Sequence, residues 1–323
     1  MRGVVLTGPG PVENLELRDL PIPEARPGWV RIAVRAFGLN RSDLHLRLGF
    51  AEGDVPYPIV PGIEAVGVVD AAPDSDLEVG QQVAAMMGGM GRAFDGGYAE
   101  YTLVPRAQVV PFRSELPWAV LGAVPETLQT AYGALTTGLD LRKGQTLLIR
   151  GGTSALGYAT AALARDLGAT VLATTRQRDR LSTLAEHGVD HPILDDGTVA
   201  GRVREVVPEG VDAALELVGT PTLPDTLAST RVQGTVCFAG MLSNTWTVPD
   251  FYPIGYIPTG VRLTAYSGDA ADLPAPVLQR YLDDLSTGTL TLGPTHTYPL
   301  SKIQEAHQAM ENNTTPGKLV ILP

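Results

Sequence analysis

Cysteine is nearly absent from this chain of 323 residues, which contains only Cys237. A single thiol excludes an internal disulfide and any zinc site built from several cysteines, and it fits a reducing compartment. Cys237 lies in an apolar run, where we expect it to be chemically inert. Lysine is almost as scarce, because the 24 basic residues include only Lys143, Lys302 and Lys318.

Positive charge and long apolar runs are also lacking. The 24 basic residues are outnumbered by 35 acidic ones, and a net charge of −11 repels polyphosphates, which argues against nucleic acid as the main ligand. No apolar run reaches the length of about 18 residues that a membrane span needs. The first residues, MRGVVLTGPG, lack a basic region followed by an apolar core. We therefore expect no membrane partner and a cytoplasmic location.

The length and composition are those of a globular protein with about two domains. Hydrophobic residues make up 44% of the chain, and 36 glycines and 26 prolines supply many turns. Up to about residue 116, short β-type runs alternate with Pro and Gly, at 30–39, 65–72, 82–87 and 98–104. Strands of this spacing predict a small antiparallel barrel over 1–120.

Strands and helices alternate after Pro117. Helical stretches, the first of them at 118–137 and 155–168, separate strand-like runs at 146–150, 170–175, 191–194, 211–219, 234–240 and 262–267. This alternation predicts an α/β fold with a doubly wound parallel sheet over 121–261. The tail, 262–323, is expected to supply the last strand of that sheet, two helices, and a strand at 317–322 that completes the first domain.

The segment R-G-G-T-S-A-L-G, residues 150–157, lies where a strand meets a helix. A tight turn there directs backbone amides and the positive helix end toward a pyrophosphate. Gly152 and Gly157 fit the first and third glycines of G-x-G-x-x-G, with Ser154 at the second. A plain strand-to-helix turn is the alternative. The favoured interpretation is a dinucleotide site with contacts from Gly152, Thr153, Ser154, Ala155 and Leu156.

The end of the next strand distinguishes NAD from NADP. It ends with the letters T-T-R and lacks the Asp or Glu that usually accepts a hydrogen bond from the adenosine ribose. Arginine binds phosphate through several charge-assisted hydrogen bonds, so Arg176 and Arg180 suit a 2′-phosphate. We therefore predict NADPH as the cofactor, with Thr175, Arg176 and Arg180 around its adenosine end. The alternative, a solvated helix start, is accepted for Arg178.

Segments along the whole chain together resemble the medium-chain dehydrogenase/reductase superfamily. In chain order they are GLNRSDLH (38–45), VPGIEAVGVV (60–69), VGQQV (79–83), GGYAEY (96–101), PETLQTAYGAL (125–135), RGGTSALG (150–157), GATVLATT (168–175), LVG (217–219) and PGKLVILP (316–323). The resemblance implies a GroES-like β-barrel domain followed by a Rossmann domain with a C-terminal return.

The chain departs from the zinc-dependent alcohol dehydrogenases of this superfamily at the metal ligands. Asn40 stands where they carry Cys, Ile63 where they carry His, and the third ligand, usually Cys, is missing near Glu126. The four-cysteine lobe expected after Val83 is absent as well. We therefore expect no zinc. The chain then resembles the zinc-independent quinone oxidoreductase branch, which implies hydride transfer from NADPH to an electrophilic quinone, enone or enoyl thioester.

The resemblance also places candidate residues around the acceptor. Asn40 is expected to donate to the acceptor oxygen or the nicotinamide ribose, with a turn-stabilising Asn as the alternative. Ser42 and His45 occupy proton-relay positions, with a partly exposed helix histidine as the alternative for His45. Tyr57 is expected at the substrate mouth, unless its flanking prolines only shape a turn. Asp43 is expected to cap the helix.

Further positions are assigned to the cofactor or to its surroundings. Thr127 and Thr130 face the nicotinamide in the family pattern, and Glu64 is expected to be a buried carboxylate bonded to Arg or to backbone. The other cofactor assignments are Val218 and Gly219 beside the adenine, Ala239, Gly240 and Met241 beside the carboxamide, and Lys318 in the last motif.

The segment 242–259 gives no information on the identity of the acceptor. It carries Trp246, Phe251, Tyr252 and Tyr256, which either close one wall of the pocket or join a subunit interface. The strand at 262–267 would be a sheet edge that needs cover, so we expect a homodimer through strand pairing. Two alternatives stay open: an NADPH-binding redox sensor or scaffold without turnover, and a tailoring reductase for a bulky or carrier-bound intermediate.

Overall fold

The computed structural model describes residues 1–51, 53–245 and 247–323, so Trp246 lies outside the described residues. The strands are β1 (Arg2–Leu6), β2 (Leu15–Asp19), β3 (Trp29–Gly38), β4 (Glu64–Ala71), β5 (Gln82–Met86), β6 (Tyr101–Pro105), β7 (Val109–Pro111), β8 (Thr146–Arg150), β9 (Thr170–Thr175), β10 (His191–Leu194), β11 (Val211–Glu216), β12 (Thr230–Phe238), β13 (Arg262–Ala265), β14 (Thr295–Pro299) and β15 (Lys318–Leu322).

The α-helices are α1 (Arg41–Arg47), α2 (Trp118–Leu121), α3 (Pro125–Gly133), α4 (Ala155–Leu167), α5 (Leu181–Glu186), α6 (Ala200–Val206), α7 (Leu223–Ala228), α8 (Pro253–Tyr256), α9 (Ala275–Thr287) and α10 (Ile303–Glu311). The chain divides into two compact units. The first contains Met1–Gln129, Asp269–Leu290 and Pro294–Pro323, and the second contains Thr130–Gly268 and Thr291–Gly293.

The first unit is built on a sheet with strand order β14-β15-β3-β4-β5-β7, in which β6 also pairs with β3. The β14–β15 pair is parallel and the other pairs are antiparallel. Val30, Ile32 and Val34 are buried at alternate positions of β3, as expected for a strand with one face toward the core. The last strand, β15, brings Lys318 into this unit next to the end of β3.

The second unit is a parallel sheet of six strands in the order β10-β9-β8-β11-β12-β13. Numbered along the chain within this unit, that order is the doubly wound 3-2-1-4-5-6 arrangement, whose topological switch lies between β8 and β11. Arg150 and Glu216 end these two strands and are paired in register. Both therefore lie at the carboxyl edge of the sheet, where such folds bind ligands.

The predicted fold class, a Rossmann sheet together with a GroES-like domain, is confirmed, and β8, β9 and β10 have the predicted bounds. The predicted helix at 118–137 is interrupted, because Pro125 cannot continue a helix and instead begins α3. The unit boundary follows Gln129 rather than residue 120, since the start of α3 is hydrogen bonded to β4. The return begins at Asp269, because β13 pairs with β12 in the parallel sheet.

Candidate active site

Four of the predicted residues lie at α1: Asn40 is its N-cap, and Ser42, Asp43 and His45 lie within it. The backbone N–H of Asn40 donates to Asp43 Oδ2 at 3.1 Å, which is the capping contact expected of Asp43. Burial raises the pKa of Asp43, while Arg92 and the Asn40 backbone oppose the rise. Ser42 is exposed, whereas His45 is buried with its ring centroid 6.4 Å from that of Phe50. His45 therefore differs from the partly exposed histidine of the alternative interpretation.

A buried ammonium lies beside this turn. Lys318 Nζ is 2.6 Å from Asn40 Oδ1, 2.7 Å from Glu64 Oε1 and 3.4 Å from Glu126 Oε2. Glu64 Oε1 also accepts from Asn40 Nδ2 at 2.9 Å, and Glu64 Oε2 accepts from the backbone N–H of Glu126 at 2.9 Å. We call Lys318, Asn40, Glu64 and Glu126 the lysine cluster. The carboxylate of Glu64 is buried as predicted, but its charged partner is Lys318 and not an arginine.

The lysine cluster contains two residues that have predicted ligand roles. The ammonium of Lys318 has three N–H groups and three protein acceptors within the first unit, and its assignment to the cofactor stays a prediction. Asn40 Nδ2 donates to Glu64 Oε1 and, at 3.4 Å, to the carbonyl of Gly38. Its donation to the acceptor oxygen stays a prediction, although both amide hydrogens have protein partners here.

Arg92 is a site residue that the sequence analysis missed. Its Nη2 donates to Ser42 O at 2.6 Å and to Ser42 Oγ at 2.8 Å, and its Nη1 lies 3.8 Å from Asp43 Oδ1. The side chain is 21% exposed, so one charged group both fixes Ser42 and faces solvent. Arg92 is the only basic residue between Arg47 and Arg106, and this was the one feature of the sequence that distinguished it.

Tyr57 lies against the same helix. Its hydroxyl donates to the carbonyl of Leu46 at 3.3 Å, and the ring is half-buried. Burial raises the pKa of Tyr57, and the positive charge of Arg92 opposes that rise. The structure therefore brings Asn40, Ser42 and Tyr57 together around α1, with Arg92 as an additional member. Their catalytic roles stay predictions.

Behind α1, Tyr98 and His307 form a buried pair. Tyr98 Oη and His307 Nε2 are 3.0 Å apart, and their rings meet edge to face. Burial, with a smaller effect from the charge of Arg47, lowers the pKa of His307 to about 3. His307 is therefore neutral at physiological pH. The burial of Tyr98 raises its pKa well above the usual value, so this hydroxyl also keeps its proton.

The residues at the three expected ligand positions do not fit a zinc site. The residues at the family's ligand positions are an amide (Asn40), a buried aliphatic side chain (Ile63) and a carboxylate (Glu126), and a lysine ammonium lies between the amide and the carboxylate. No group of three or more His, Cys, Asp or Glu side chains suited to a metal occurs among residues 1–51, 53–245 and 247–323. The donor set and the ammonium charge do not fit a divalent ion.

In the second unit, the glycine loop has the close packing that a dinucleotide turn requires. A Cβ on Gly157 would lie 2.5 Å from the carbonyl oxygen of Gly152, and a Cβ on Gly152 would lie 2.7 Å from Ala173 Cβ. Ser154 caps α4 by accepting from the backbone N–H of Gly157 at 3.0 Å. These residues fit the predicted pyrophosphate turn, in which helix and strand approach closely.

The end of β9 also fits the predicted phosphate site. Arg176 is exposed, Arg180 is half-buried, and Thr175 is buried with its Oγ1 accepting from the backbone N–H of Gln177 at 3.2 Å. Within the part of the chain that the structure describes, neither arginine has an ion-pair partner. The two guanidinium groups are therefore available to an anion.

A second buried cation, Arg150, immediately precedes the glycine loop in the chain. Arg150 is fully buried, and it donates to Asp195 Oδ2 at 2.5 Å, Asp195 Oδ1 at 3.0 Å and Asp225 Oδ2 at 2.6 Å. Asp225 Oδ2 also accepts from the backbone N–H of Val199 at 2.7 Å. We call Arg150, Asp195 and Asp225 the arginine cluster. This cluster was not predicted, although an arginine at the end of an apolar strand is unusual and indicates a buried charge with partners.

Glu216 organises two of the predicted adenine-side residues. Its Oε1 accepts from the backbone N–H groups of Val218 at 2.7 Å and Gly219 at 3.0 Å, and its Oε2 accepts from Thr226 Oγ1 at 2.5 Å. Burial raises the pKa of Glu216, and these hydrogen bonds and Arg150 oppose the rise. Glu216 was not predicted either. It fixes the loop that follows β11 at the carboxyl edge of the sheet.

The remaining cofactor assignments lie on α3 and after β12. Ala239, Gly240 and Met241 are half-buried and follow the carboxyl end of β12. Thr127 and Thr130 are buried in α3, and Thr127 Oγ1 has no hydrogen-bond partner among the described residues. A buried hydroxyl without a partner is compatible with a ligand group that is absent here. These roles stay predictions.

Comparison with known proteins identifies the family. Two family models match the chain: the alcohol dehydrogenase GroES-like domain over residues 26–114 and the zinc-binding dehydrogenase over residues 187–321. A probable quinone oxidoreductase of Schizosaccharomyces pombe is 28% identical over 97% of this chain and 94% of its own. Human quinone oxidoreductase is 26% identical over 100% of this chain and 98% of its own.

Solved structures agree with this result. A mycobacterial protein solved in complex with NADPH is 27% identical and superimposes with a TM-score of 0.87 over 100% of both chains. The crystal structure of AibC is 28% identical and gives a TM-score of 0.88 over 100% of this chain and 96% of that one.

None of the helices in the described residues is both long and apolar enough to span a membrane. The strand order of the second unit, the glycine loop, the matched domains and the full-length relatives agree with one another. The chain is an oxidoreductase of the medium-chain dehydrogenase/reductase superfamily.

Proposed function

We propose that this chain is a zinc-independent reductase that uses NADPH to reduce quinones or α,β-unsaturated carbonyl compounds. The observation that carries the proposal is the position of Lys318 Nζ, which lies among Asn40, Glu64 and Glu126. Without a metal Lewis acid, an enzyme is best suited to acceptors that are already electrophilic. Quinones, enones and enoyl thioesters have this property, and the relatives named quinone oxidoreductase support the choice.

Most of the groups proposed to bind the cofactor belong to the second unit. Arg176 and Arg180 are proposed to bind the 2′-phosphate, and the backbone of the glycine loop with the start of α4 is proposed to bind the pyrophosphate. Thr127 and Thr130 of α3 are proposed to contact the nicotinamide side. Bound NADPH supplies a hydride to the acceptor carbon, which leaves negative charge on the acceptor oxygen.

The first unit supplies the proton and the positive charge. Because Ser42 Oγ accepts a hydrogen bond from Arg92, its own O–H becomes a stronger donor toward a developing oxyanion. We propose that Ser42 gives its proton to that oxygen and regains one from solvent, with His45 as the candidate relay. Tyr57 and Arg92 are proposed to contact the acceptor. The location in the cytoplasm and a homodimer paired through the edge strand β13 stay predictions, and sedimentation velocity tests the dimer.

A nucleotide titration tests the proposal. We expect NADPH to quench tryptophan emission at lower concentration than NADH, and Arg176→Ala with Arg180→Ala to weaken NADPH binding about 30-fold or more without affecting NADH. Arg178→Ala, from the same exposed segment, is the matched control and is expected to bind as the wild type does.

Turnover with quinones and enones is then measured with and without a chelator. Binding of neither nucleotide, or activity that requires added zinc, would refute the proposal. Tight NADPH binding without turnover of any acceptor would favour the redox sensor instead.

A further inference from the structure

We propose that the ammonium of Lys318 is the resident cation of the first unit. It fills the position that a divalent metal would need between Asn40, Glu64 and Glu126, and it positions the Asn40 amide and the start of α3. This inference rests on the zinc-independent part of the proposed function, but its test needs neither NADPH nor an acceptor.

The coordination of the ammonium is complete. Its acceptors are one amide oxygen and two carboxylate oxygens at 2.6, 2.7 and 3.4 Å, one for each N–H group. Lys318 is only 5% exposed and Glu64 is fully buried, so neither charge is compensated by water. Burial alone lowers the pKa of Lys318, but the charges of Glu64 and Glu126 outweigh it and the net pKa is raised. The lysine is therefore a permanent cation.

The backbone of the neighbouring strand fits this ion pair closely. A Cβ added to Gly38 would overlap both Lys318 Cε and Glu64 Oε1, so the end of β3 leaves room for the pair only because that residue is glycine. Lys318 Nζ contacts Asn40 Oδ1 and Glu64 Oε1, two residues that are also hydrogen bonded to each other. A divalent ion at the same three oxygens would have to displace the ammonium.

The ammonium also orients groups of the site. Because Asn40 Oδ1 accepts from Lys318, its Nδ2 is directed to Glu64 Oε1. Glu64 Oε2 in turn accepts from the Glu126 backbone at the start of α3, the helix that carries Thr127 and Thr130. Lys318 is thus a positioning residue, since it touches neither reacting group but fixes the residues proposed to do so.

Mn²⁺ binding followed by electron paramagnetic resonance tests this inference. We expect the wild type to leave the signal of free Mn²⁺ unchanged, because its cation site is filled. Lys318→Ala leaves three oxygen ligands of the kind that Mn²⁺ prefers, so we expect this variant to bind one ion per chain. Adding Glu64→Gln to Lys318→Ala should weaken that binding at least about tenfold. Lys318→Arg, which restores a cation, should again bind none.

Stoichiometric Mn²⁺ binding by the wild type, or no binding by a folded Lys318→Ala variant, would overturn the inference. If Lys318→Ala does not fold, the rates of lysine acetylation in the wild type test the inference instead. The chain has only three lysines, so mass spectrometry can follow the acetylation of each one separately. We expect Lys318 to react at least about tenfold more slowly than the exposed Lys143 and Lys302, and Glu64→Gln to accelerate Lys318 alone. Equal rates in the wild type, or no effect of Glu64→Gln, would contradict it.

Failure here is distinguishable from failure of the proposed function. If the wild type reduces quinones but binds Mn²⁺ through Glu64, the proposed reductase function stands and the inference about Lys318 is refuted. If Lys318 is acetylated slowly but the chain reduces no acceptor, only the proposed reductase function is refuted.

Discussion

Each unit contains a cation buried among several carboxylates, but Arg150 and Lys318 bind their partners differently. In the second unit, Arg150 spreads a planar guanidinium across Asp195 and Asp225, and it holds together the segments that follow β10 and begin α7. In the first unit, Lys318 concentrates its charge at one atom, with partners from three separate segments. The arginine cluster joins the end of β8 to the segments around Asp195 and Asp225, whereas the lysine cluster contains the candidate site residue Asn40.

The arginine cluster should show the larger loss of stability when its cation is removed. Arg150→Met removes a fully buried cation and leaves two largely enclosed carboxylates, 7% and 16% exposed, without their partner, so we expect the free energy of unfolding to fall by about 4 kcal/mol. Urea unfolding measures the change. Arg142→Met, which removes an exposed guanidinium paired with the exposed Asp140, is the control and should cost less than about 1 kcal/mol. Equal losses for the two variants would show that the buried pair is not special.

Within the lysine cluster, we expect the loss in the free energy of unfolding to be larger for the more deeply buried carboxylate. Glu64→Gln removes the fully buried partner of Lys318, and we expect a loss of about 2 to 3 kcal/mol in the free energy of unfolding. Glu126→Gln removes a carboxylate that is 18% exposed and more distant, with an expected loss of about 1 kcal/mol. The same unfolding measurement compares the two. A larger loss for Glu126→Gln would mean that the ammonium depends mainly on the outer carboxylate.

His307 is a buried neutral group of the first unit, in contrast to the charged members of the lysine cluster. Its pKa is about 3 in the folded chain and 6.5 in the unfolded one, so the unfolded chain binds a proton first as the pH falls. Stability should therefore decrease below pH 6.5, by about 2 kcal/mol between pH 7 and pH 5 through this group. His307→Gln is expected to remove that part of the pH dependence. Parallel pH profiles of the two proteins would refute the assignment.

The smallest expected effect is on turnover, and it follows from removal of the partly exposed guanidinium of Arg92. Arg92→Met takes away the donor to Ser42 Oγ, and we expect kcat to fall about tenfold with unchanged NADPH affinity. Arg106→Met, which breaks the contact of a partly exposed arginine with Asp76 in the same unit, should leave kcat unchanged. Unchanged kcat in Arg92→Met would remove Arg92 from the proposed mechanism.

The sequence predicts the second unit better than the first for a physical reason. β8, β9 and β10 are apolar runs bounded by turn residues, and parallel strands covered on both faces leave that local signature. The glycine loop is also local, because its packing involves Gly152 and Gly157 within one turn. The helical segment predicted over 118–137 contains two α-helices, α2 and α3, because Pro125 cannot continue a helix and begins the second one.

Long-range ion pairs could not be predicted. Lys318 and Asn40 are separated by 278 positions, and no periodicity connects them. Arg92 lies in a loop rich in glycine, where the sequence carries no pattern for its side-chain contact with Ser42. Arg150 and Glu216 could have been paired in principle, because both end apolar strands of one parallel sheet. The ion-pair partners of Arg150, which are Asp195 and Asp225, follow only from the folded structure.

The position of Lys318 along the chain also determines when the first unit can be completed during synthesis. Asn40, Glu64 and Glu126 leave the ribosome before the second unit, whereas their cation follows it. The members of the arginine cluster, by contrast, lie within residues 150–225 and are available together. We therefore expect the second unit to acquire its structure cotranslationally, while the first waits with an unneutralised pair of carboxylates until β15 arrives.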